Sequence, residues 1–273
     1  MPTFEFRGKP VFYETDGSGK PVIILNGIMM STKSWIPFLP TLTEHFQVIR
    51  VDFFDQGQSA KLPGETYTQT IQVELLKALT MHLKLATVNI VGISYGGEVA
   101  LAFAAQYPSM VERLIVFNST AYTSSWLKDI GRGWIAAGRT KDGEHYYNTT
   151  IPVIYSPYYY QSRIDWMNRR KAFLIPVFSD PGFLGQVERL TLSAESYDIR
   201  PVIKEITMPV LLVSAEQDYL TPVDNQEYLH QNLPNSEWVL LPLAGHASMY
   251  EKPLLFTSLV VGFFGVRDLA YNI

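Results

Sequence analysis

The sequence predicts an α/β protein with a mainly parallel central sheet and helices on both faces. Three observations carry this. Short apolar runs alternate with helical periodicity through the first 119 residues. The alternation stops between about residues 120 and 205. It then resumes toward the end of the chain. Strands that alternate with helices imply parallel pairing through crossover connections.

Each element has its own signal. Pro21 to Leu25 is a short apolar run ending at Asn26-Gly27, which marks a buried strand and a turn. Phe46 to Val51 is a second strand and stops at Asp52. Thr70 to Leu83 places Ile71, Leu75, Leu76, Leu79 and Leu83 at helical spacing, without Pro or Gly. Val88 to Gly92 reads as a strand. Gly97 to Tyr107 is an Ala-rich helix stopped by Pro108, and Leu114 to Phe117 is the next strand. After Met208-Pro209, Val210 to Val213 and Trp238 to Leu241 read as strands, with a helix over about Asp224 to Gln231 between them. The interrupting segment holds fourteen aromatic residues, among them Trp126, Trp134, Trp166 and the run Tyr158-Tyr159-Tyr160. It reads as a mostly helical cap. The expected organisation is a core built from residues 1–119 and 206–273 with a cap over 120–205.

Composition removes several functions. The chain has no Cys, which excludes a disulfide framework, a thiolate nucleophile, a zinc ribbon and a Cys-ligated cluster. The net charge of −4 and the lack of a basic stripe argue against nucleic-acid binding. The first apolar stretch carries Glu5 and Arg7 and so lacks a signal-peptide core. The run from Leu254 to Val266 is too short for a bilayer span and contains Thr257 and Ser258. The expectation is a cytoplasmic protein, a monomer or homodimer, with no integral membrane segment.

The strongest local signal is Gly92-Ile93-Ser94-Tyr95-Gly96-Gly97, between a strand and a helix. A serine at the tip of such a turn adopts strained dihedrals, and small neighbours let the backbones pass. The helix N-terminus beneath it supplies partial positive charge for an oxyanion. A serine hydroxyl needs a base. Of the five histidines, His246 directly follows the last strand, in Leu243-Ala244-Gly245-His246. The base needs an orienting carboxylate. Asp218 follows the penultimate strand, in a turn before Pro222, with Glu216 as runner-up. The alternative acid position, Asn118-Ser119-Thr120, holds no carboxylate.

The order Ser94, Asp218, His246, with an insertion between serine and acid, resembles the α/β-hydrolase superfamily over essentially the whole chain. The resemblance implies an α/β-hydrolase fold and an oxyanion hole from the Tyr95 and Ile28 amides. Three positions depart from the family pattern. Asn26-Gly27 stands where His-Gly is usual. Asp55 stands where Gly is usual, in Asp52-Phe53-Phe54-Asp55-Gln56-Gly57-Gln58-Ser59. Ala215 stands where Gly is frequent. Asn26-Gly27, the turn Ile28-Met29-Met30, and the stretch from Glu44-His45-Phe46 to Gly57-Gln58-Ser59 are similar to bacterial acyltransferases that join 3-hydroxyacyl chains for rhamnolipids.

These readings imply attack by Ser94 on an acyl carbonyl, with no metal and no organic cofactor. Water as second nucleophile makes an esterase. A hydroxyl makes an acyltransferase fed by a CoA or carrier-protein donor. A ligand sensor with little turnover is the non-enzyme alternative. The expected partner is a small ester or acyl substrate. Met29, Trp126, Trp134, Tyr158 and Trp166 are candidates for its apolar pocket. Arg169-Arg170-Lys171 reads either as a solvated helix face or as a site for donor phosphates.

Overall fold

A computed structural model describes residues 3–265. Eight strands form one sheet: β1 (Thr3–Phe6), β2 (Lys9–Asp16), β3 (Lys20–Leu25), β4 (Phe46–Val51), β5 (Val88–Ile93), β6 (Val111–Phe117), β7 (Val210–Ala215) and β8 (Ser236–Leu241). Their order is β1-β2-β4-β3-β5-β6-β7-β8. The pairings β1–β2 and β2–β4 are antiparallel, and all later ones are parallel. This is the α/β-hydrolase fold.

The antiparallel start escapes the sequence reading. Arg7 and Gly8 both have positive φ, 52° and 72°, the requirement of a tight type I′ hairpin. Only Phe4, Val11 and Phe12 of the two strands are buried, while Glu5 and Thr15 are exposed. That polar half conceals the strand signal. The central strands lie covered on both faces and read as continuous apolar runs. Alternate residues serve opposite cores: Ile23, Leu25, Ile90 and Leu114 face one, and Val22, Ile24, Val91 and Ile115 the other. Each such side chain contributes about 1.5–3 kcal/mol through burial.

The helices α1 (Leu39–Leu42), α2 (Thr70–His82) and α3 (Tyr95–Gln106) lie in the first part of the chain. α3 begins two residues before the sequence reading placed it, because the chain turns directly from strand to helix at Ser94. Five helices lie between β6 and β7: α4 (Ser125–Arg139), α5 (Gly143–Ile154), α6 (Pro157–Ser162), α7 (Ile164–Phe178) and α8 (Pro181–Ser193). Ser124, Asp142, Ser156 and Asp180 each cap a helix by accepting a backbone N–H. These helices share a core that includes Trp134, Tyr146, Tyr147, Tyr155 and Phe178. A β-bridge between Tyr122 and Asp198 closes the two ends of the insertion against each other. The chain finishes its described part with α9 (Val223–Asn232), α10 (Ser248–Glu251) and α11 (Pro253–Gly265). Val266, the end of the apolar run, lies outside the described residues. Among the described residues, no helix is long and apolar enough to cross a membrane.

Two buried carboxylates tie the insertion to the sheet. The Arg189 guanidinium of α8 donates through Nε (3.0 Å) and Nη2 (2.5 Å) to Asp55. Tyr67 Oη and the Leu62 amide donate to the same carboxylate. Glu251 accepts from Ser156 Oγ at 2.5 Å and Ser156 N at 3.0 Å, at the start of α6. Asp55 therefore has a structural reason to replace the usual glycine. Its φ of 66° is offset by four hydrogen bonds, two of them across the seam from Arg189. Asp55→Asn strips the half-buried guanidinium of its buried counter-ion and is expected to lower the unfolding free energy by about 2 kcal/mol. Urea denaturation measures this, and a change below about 0.5 kcal/mol, the range of an ordinary surface substitution, rules the clamp out.

Candidate active site

The turn from β5 into α3 leaves no room for side chains. A Cβ on Gly96 would lie 2.4 Å from the Leu25 carbonyl oxygen, and one on Gly92 would lie 2.5 Å from that of Gly96. Between them Ser94 takes φ 53°, ψ −122°, a conformation that costs an ordinary residue of order 1–3 kcal/mol. Its amide donates to the Phe117 carbonyl at 3.0 Å. Ser94 occupies the N-cap position of α3, yet its hydroxyl makes no capping bond. It faces a cavity of about 1080 Å³ between the sheet edge and the insertion.

His246 lines the same cavity, and the other four histidines do not. Its Nδ1 donates to Asp218 Oδ2 at 2.8 Å. An ionised carboxylate only accepts, so the ring proton sits on Nδ1 and Nε2 is free to take a proton. Asp218 is fully buried. Its Oδ2 also accepts from Asn118 Nδ2 (2.8 Å) and Thr221 Oγ1 (2.8 Å), and Oδ1 accepts from the amides of Leu220 (2.8 Å) and Thr221 (3.0 Å). Burial alone would raise this carboxyl. The charge and hydrogen bond of His246, with the Thr221 and Asn118 donors, hold it below the ordinary Asp value. Glu216 is exposed and accepts the Leu243 amide at 2.8 Å, which staples a turn. The Ser94 hydroxyl makes no hydrogen bond among the described residues. Pairs of this kind tighten when substrate binds.

The departure at Asn26 is part of a network. Asn26 Nδ2 donates to the Val51 carbonyl (2.8 Å) and to Gln56 Oε1 (3.1 Å), and Asn26 Oδ1 accepts from Trp35 Nε1 (2.6 Å). Gln56 Nε2 then donates to the Gly27 carbonyl at 2.9 Å. That carbonyl and the Ile28 N–H belong to one planar trans peptide and point in opposite directions. Gln56 thus sets the direction of the Ile28 amide. The Tyr95 amide opens α3 and has no intrahelical acceptor. Both residues line the cavity.

Met29, Trp134 and Trp166 line the cavity, and Trp126 and Tyr158 do not. Trp126 is 61% exposed and donates its Nε1 to the Tyr219 carbonyl at 3.2 Å. Tyr158 is 51% exposed beside Lys252. Their neighbours Leu127 and Tyr159 face the cavity instead. Adjacent helical residues differ by about 100° in direction, and composition does not phase a helix. Asn118, Thr221, Gln56 and Glu251 carry no local signal that marks them as site residues in the sequence. Glu251 also accepts the Gly245 amide at 3.1 Å, one residue before His246. Glu98, one turn into α3, lines the cavity as well, and Gln69 Nε2 donates to it at 2.7 Å. Burial pushes its carboxyl up to about 8, with Gln69 opposing.

The arrangement holds a strained hydroxyl, an imidazole with one free nitrogen, a buried carboxylate and two cavity-lining residues, Ile28 and Tyr95, whose amides make no backbone hydrogen bond among the described residues. Among the described residues, no group of acids and histidines is placed to hold a metal. Residues 20–253 match the model of the alpha/beta hydrolase fold family. The chain is 51% identical, with a TM-score of 0.97 and full coverage of both chains, to an alpha/beta hydrolase enzyme from a Medee basin deep-sea metagenome library. It is 31% identical over 92% of both sequences to a Bacillus subtilis strain 168 protein to which a 2-succinyl-6-hydroxy-2,4-cyclohexadiene-1-carboxylate synthase activity is ascribed. It is 25% identical, over 91% of this chain and 97% of the other, to a pimeloyl-[acyl-carrier protein] methyl ester esterase of Nitrosomonas europaea. The extent of the family match, laid over this sheet order and this strand-to-helix turn, makes the chain a member of the alpha/beta-hydrolase enzyme family.

Proposed function

We propose that the protein is a serine hydrolase that cleaves a carboxylic ester with an apolar acyl group. The observation that carries this reading is the Asp218–His246 pair opening onto the cavity that holds the strained Ser94 hydroxyl. The methyl ester esterase among its relatives supports an ester as the substrate class.

Ser94 Oγ attacks the acyl carbon while His246 Nε2 takes its proton. The carbonyl oxygen becomes an oxyanion, held by the Ile28 and Tyr95 amides, which are fixed donors needing no reorganisation. The imidazolium then gives the proton to the leaving alkoxide, the ester C–O bond breaks, and an acyl-enzyme remains. Water attacks this ester with its proton going to His246, and the acid leaves as the proton returns to Ser94. Asp218 stabilises the imidazolium in both halves. Its depressed pKa keeps it ionised wherever His246 acts as base. An acceptor alcohol in place of water would turn the second half into acyl transfer, and the products distinguish the two.

Three outcomes are expected. Ser94→Ala lowers kcat on p-nitrophenyl esters about 10³-fold or more, and intact-mass spectra lose the acyl adduct seen with the unaltered protein. Turnover that survives this change overturns the reading. Gln56→Leu removes the bond that aims the Ile28 amide. It is expected to lower kcat about 10²-fold with KM nearly kept, whereas a rise in KM alone assigns Gln56 to substrate binding. Glu98 gives a pH signature. Its folded pKa of about 8 lies above the unfolded value of about 4.3. Stability from this group is full below about pH 4 and is lost as pH rises toward 8. Glu98→Gln should match the unaltered protein at pH 4 and melt higher at pH 9, and melting curves that stay parallel across that range refute it.

A further inference from the structure

One guanidinium in the cavity has no counter-ion among the described residues. Arg170, on α7, lines the cavity with its Cζ 5.3 Å from the centroids of both the Trp166 and the Tyr250 rings. Its Nε is buried and has no hydrogen-bond partner, and among the described residues no carboxylate lies within ion-pair distance of it. A guanidinium stays charged at any pH a protein tolerates, and buried charge is ordinarily paired. The arginine on the next helix follows that rule, since Arg189 is held by Asp55. The neighbours of Arg170 in sequence differ too. Arg169 is exposed, and Lys171 pairs with Glu144 at 2.6 Å. Only the middle residue of this basic triplet turns inward, held between two aromatic faces that fix its position without neutralising it.

Further cations stand in the cavity wall. The cavity lining also carries Lys33 and Lys128. Against them stand Glu195, which lies 4.0 Å from Arg132, and Glu98, which burial keeps protonated at neutral pH. A chain with net charge −4 therefore lines this cavity with more cations than anions. A cavity with these walls draws in a substrate that carries a negative charge.

We propose that Arg170 is an anion subsite that receives a free carboxylate carried by the substrate, so that the ester cleaved at Ser94 is a half-ester of a dicarboxylic acid. This rests on the hydrolase reading above. The planar fork of one guanidinium matches one carboxylate in shape and charge, and the terminal Nη groups of Arg170, which donate to no residue among those described, are the donors that would meet it. Tyr155, Trp166 and Leu174 line the same cavity and suit the apolar spacer between the two carbonyl groups. The distal carboxylate is unchanged by the reaction. The alcohol leaves with the proton from His246, and water completes the dicarboxylate.

The test pairs p-nitrophenyl half-esters of glutaric, adipic and suberic acid with neutral p-nitrophenyl esters of equal length. The unaltered protein is compared with Arg170→Met and Arg170→Lys. Binding of adipic acid monoethyl ester to Ser94→Ala, read by calorimetry with and without Arg170→Met, needs no turnover. The preference in kcat/KM for half-ester over neutral ester should fall about 10- to 100-fold in Arg170→Met, through KM, with partial recovery in Arg170→Lys. An unchanged preference, or calorimetric binding indifferent to Arg170→Met, overturns the subsite. Neutral esters that still turn over in that case leave the hydrolase reading standing. Binding that depends on Arg170 without turnover of any ester has the opposite meaning: the subsite stands and the hydrolase reading falls.

Discussion

The close passage of backbone at the strand-to-helix turn is the constraint on which the site depends. Gly96 rests against the Leu25 and Asn26 carbonyls, and Gly92 rests against the first turn of α3. Any side chain at either position pushes the helix off the sheet. Because the Gly96 contact runs from the start of α3 to the end of β3, it places the serine beside the loop that carries Ile28. The dihedral strain at Ser94 is tolerated because packing around it allows no alternative. Hydroxyl and amide are brought together by main-chain sterics before any side-chain chemistry is considered.

Polar side chains then fix what the backbone leaves free. Asn118 lies a hundred residues before Asp218 in the chain and donates to it, while accepting from Ser248 Oγ at 2.5 Å. Gln56 holds the Gly27 carbonyl, and Glu251 holds the Gly245 amide. Asp218, the Ile28 amide and the loop of His246 each have a neighbour that holds them, and those neighbours come from separate segments, the loops after β6 and β4 and the helix α10. This is the advantage of a parallel sheet whose loops converge on one edge.

The parts legible in the sequence are those with a local cause. A glycine-flanked serine between a strand and a helix, a histidine leaving the last strand, and an acid in a Pro-bounded turn each announce themselves within a few residues. The continuous apolar strands do so as well, because burial on both faces leaves no polar position. The hidden parts depend on distant partners. The polar face of β1 and β2 is decided by their place at the sheet edge. Asn118 reads as a missing acid until Asp218 is seen beside it. Asp55 reads as a lost glycine until Arg189 reaches it. Trp126 and Tyr158 look like pocket residues because an aromatic count carries no direction around a helix axis.

The bridge between Tyr122 and Asp198 gives the insertion a feature that its own chemistry does not reveal. The chain leaves the core and returns to it through adjacent, paired residues: the Ile199 amide donates to the Ala121 carbonyl at 2.9 Å, and that of Thr123 to Tyr197 at 3.0 Å. The five helices between them hang from one stem, and the core they share also takes in Leu220 and Ala247 from outside the insertion. The backbone connection of the insertion is thereby confined to one place, and the strand order does not depend on the path the chain takes between its two ends. Beyond the stem the insertion is held by Arg189 on Asp55, Ser156 on Glu251, Trp126 on the Tyr219 carbonyl, and Ser193 on the Gln69 amide and the Tyr95 hydroxyl. The insertion's share of the cavity wall is thus carried by a stretch of chain that leaves and rejoins the sheet at a single point.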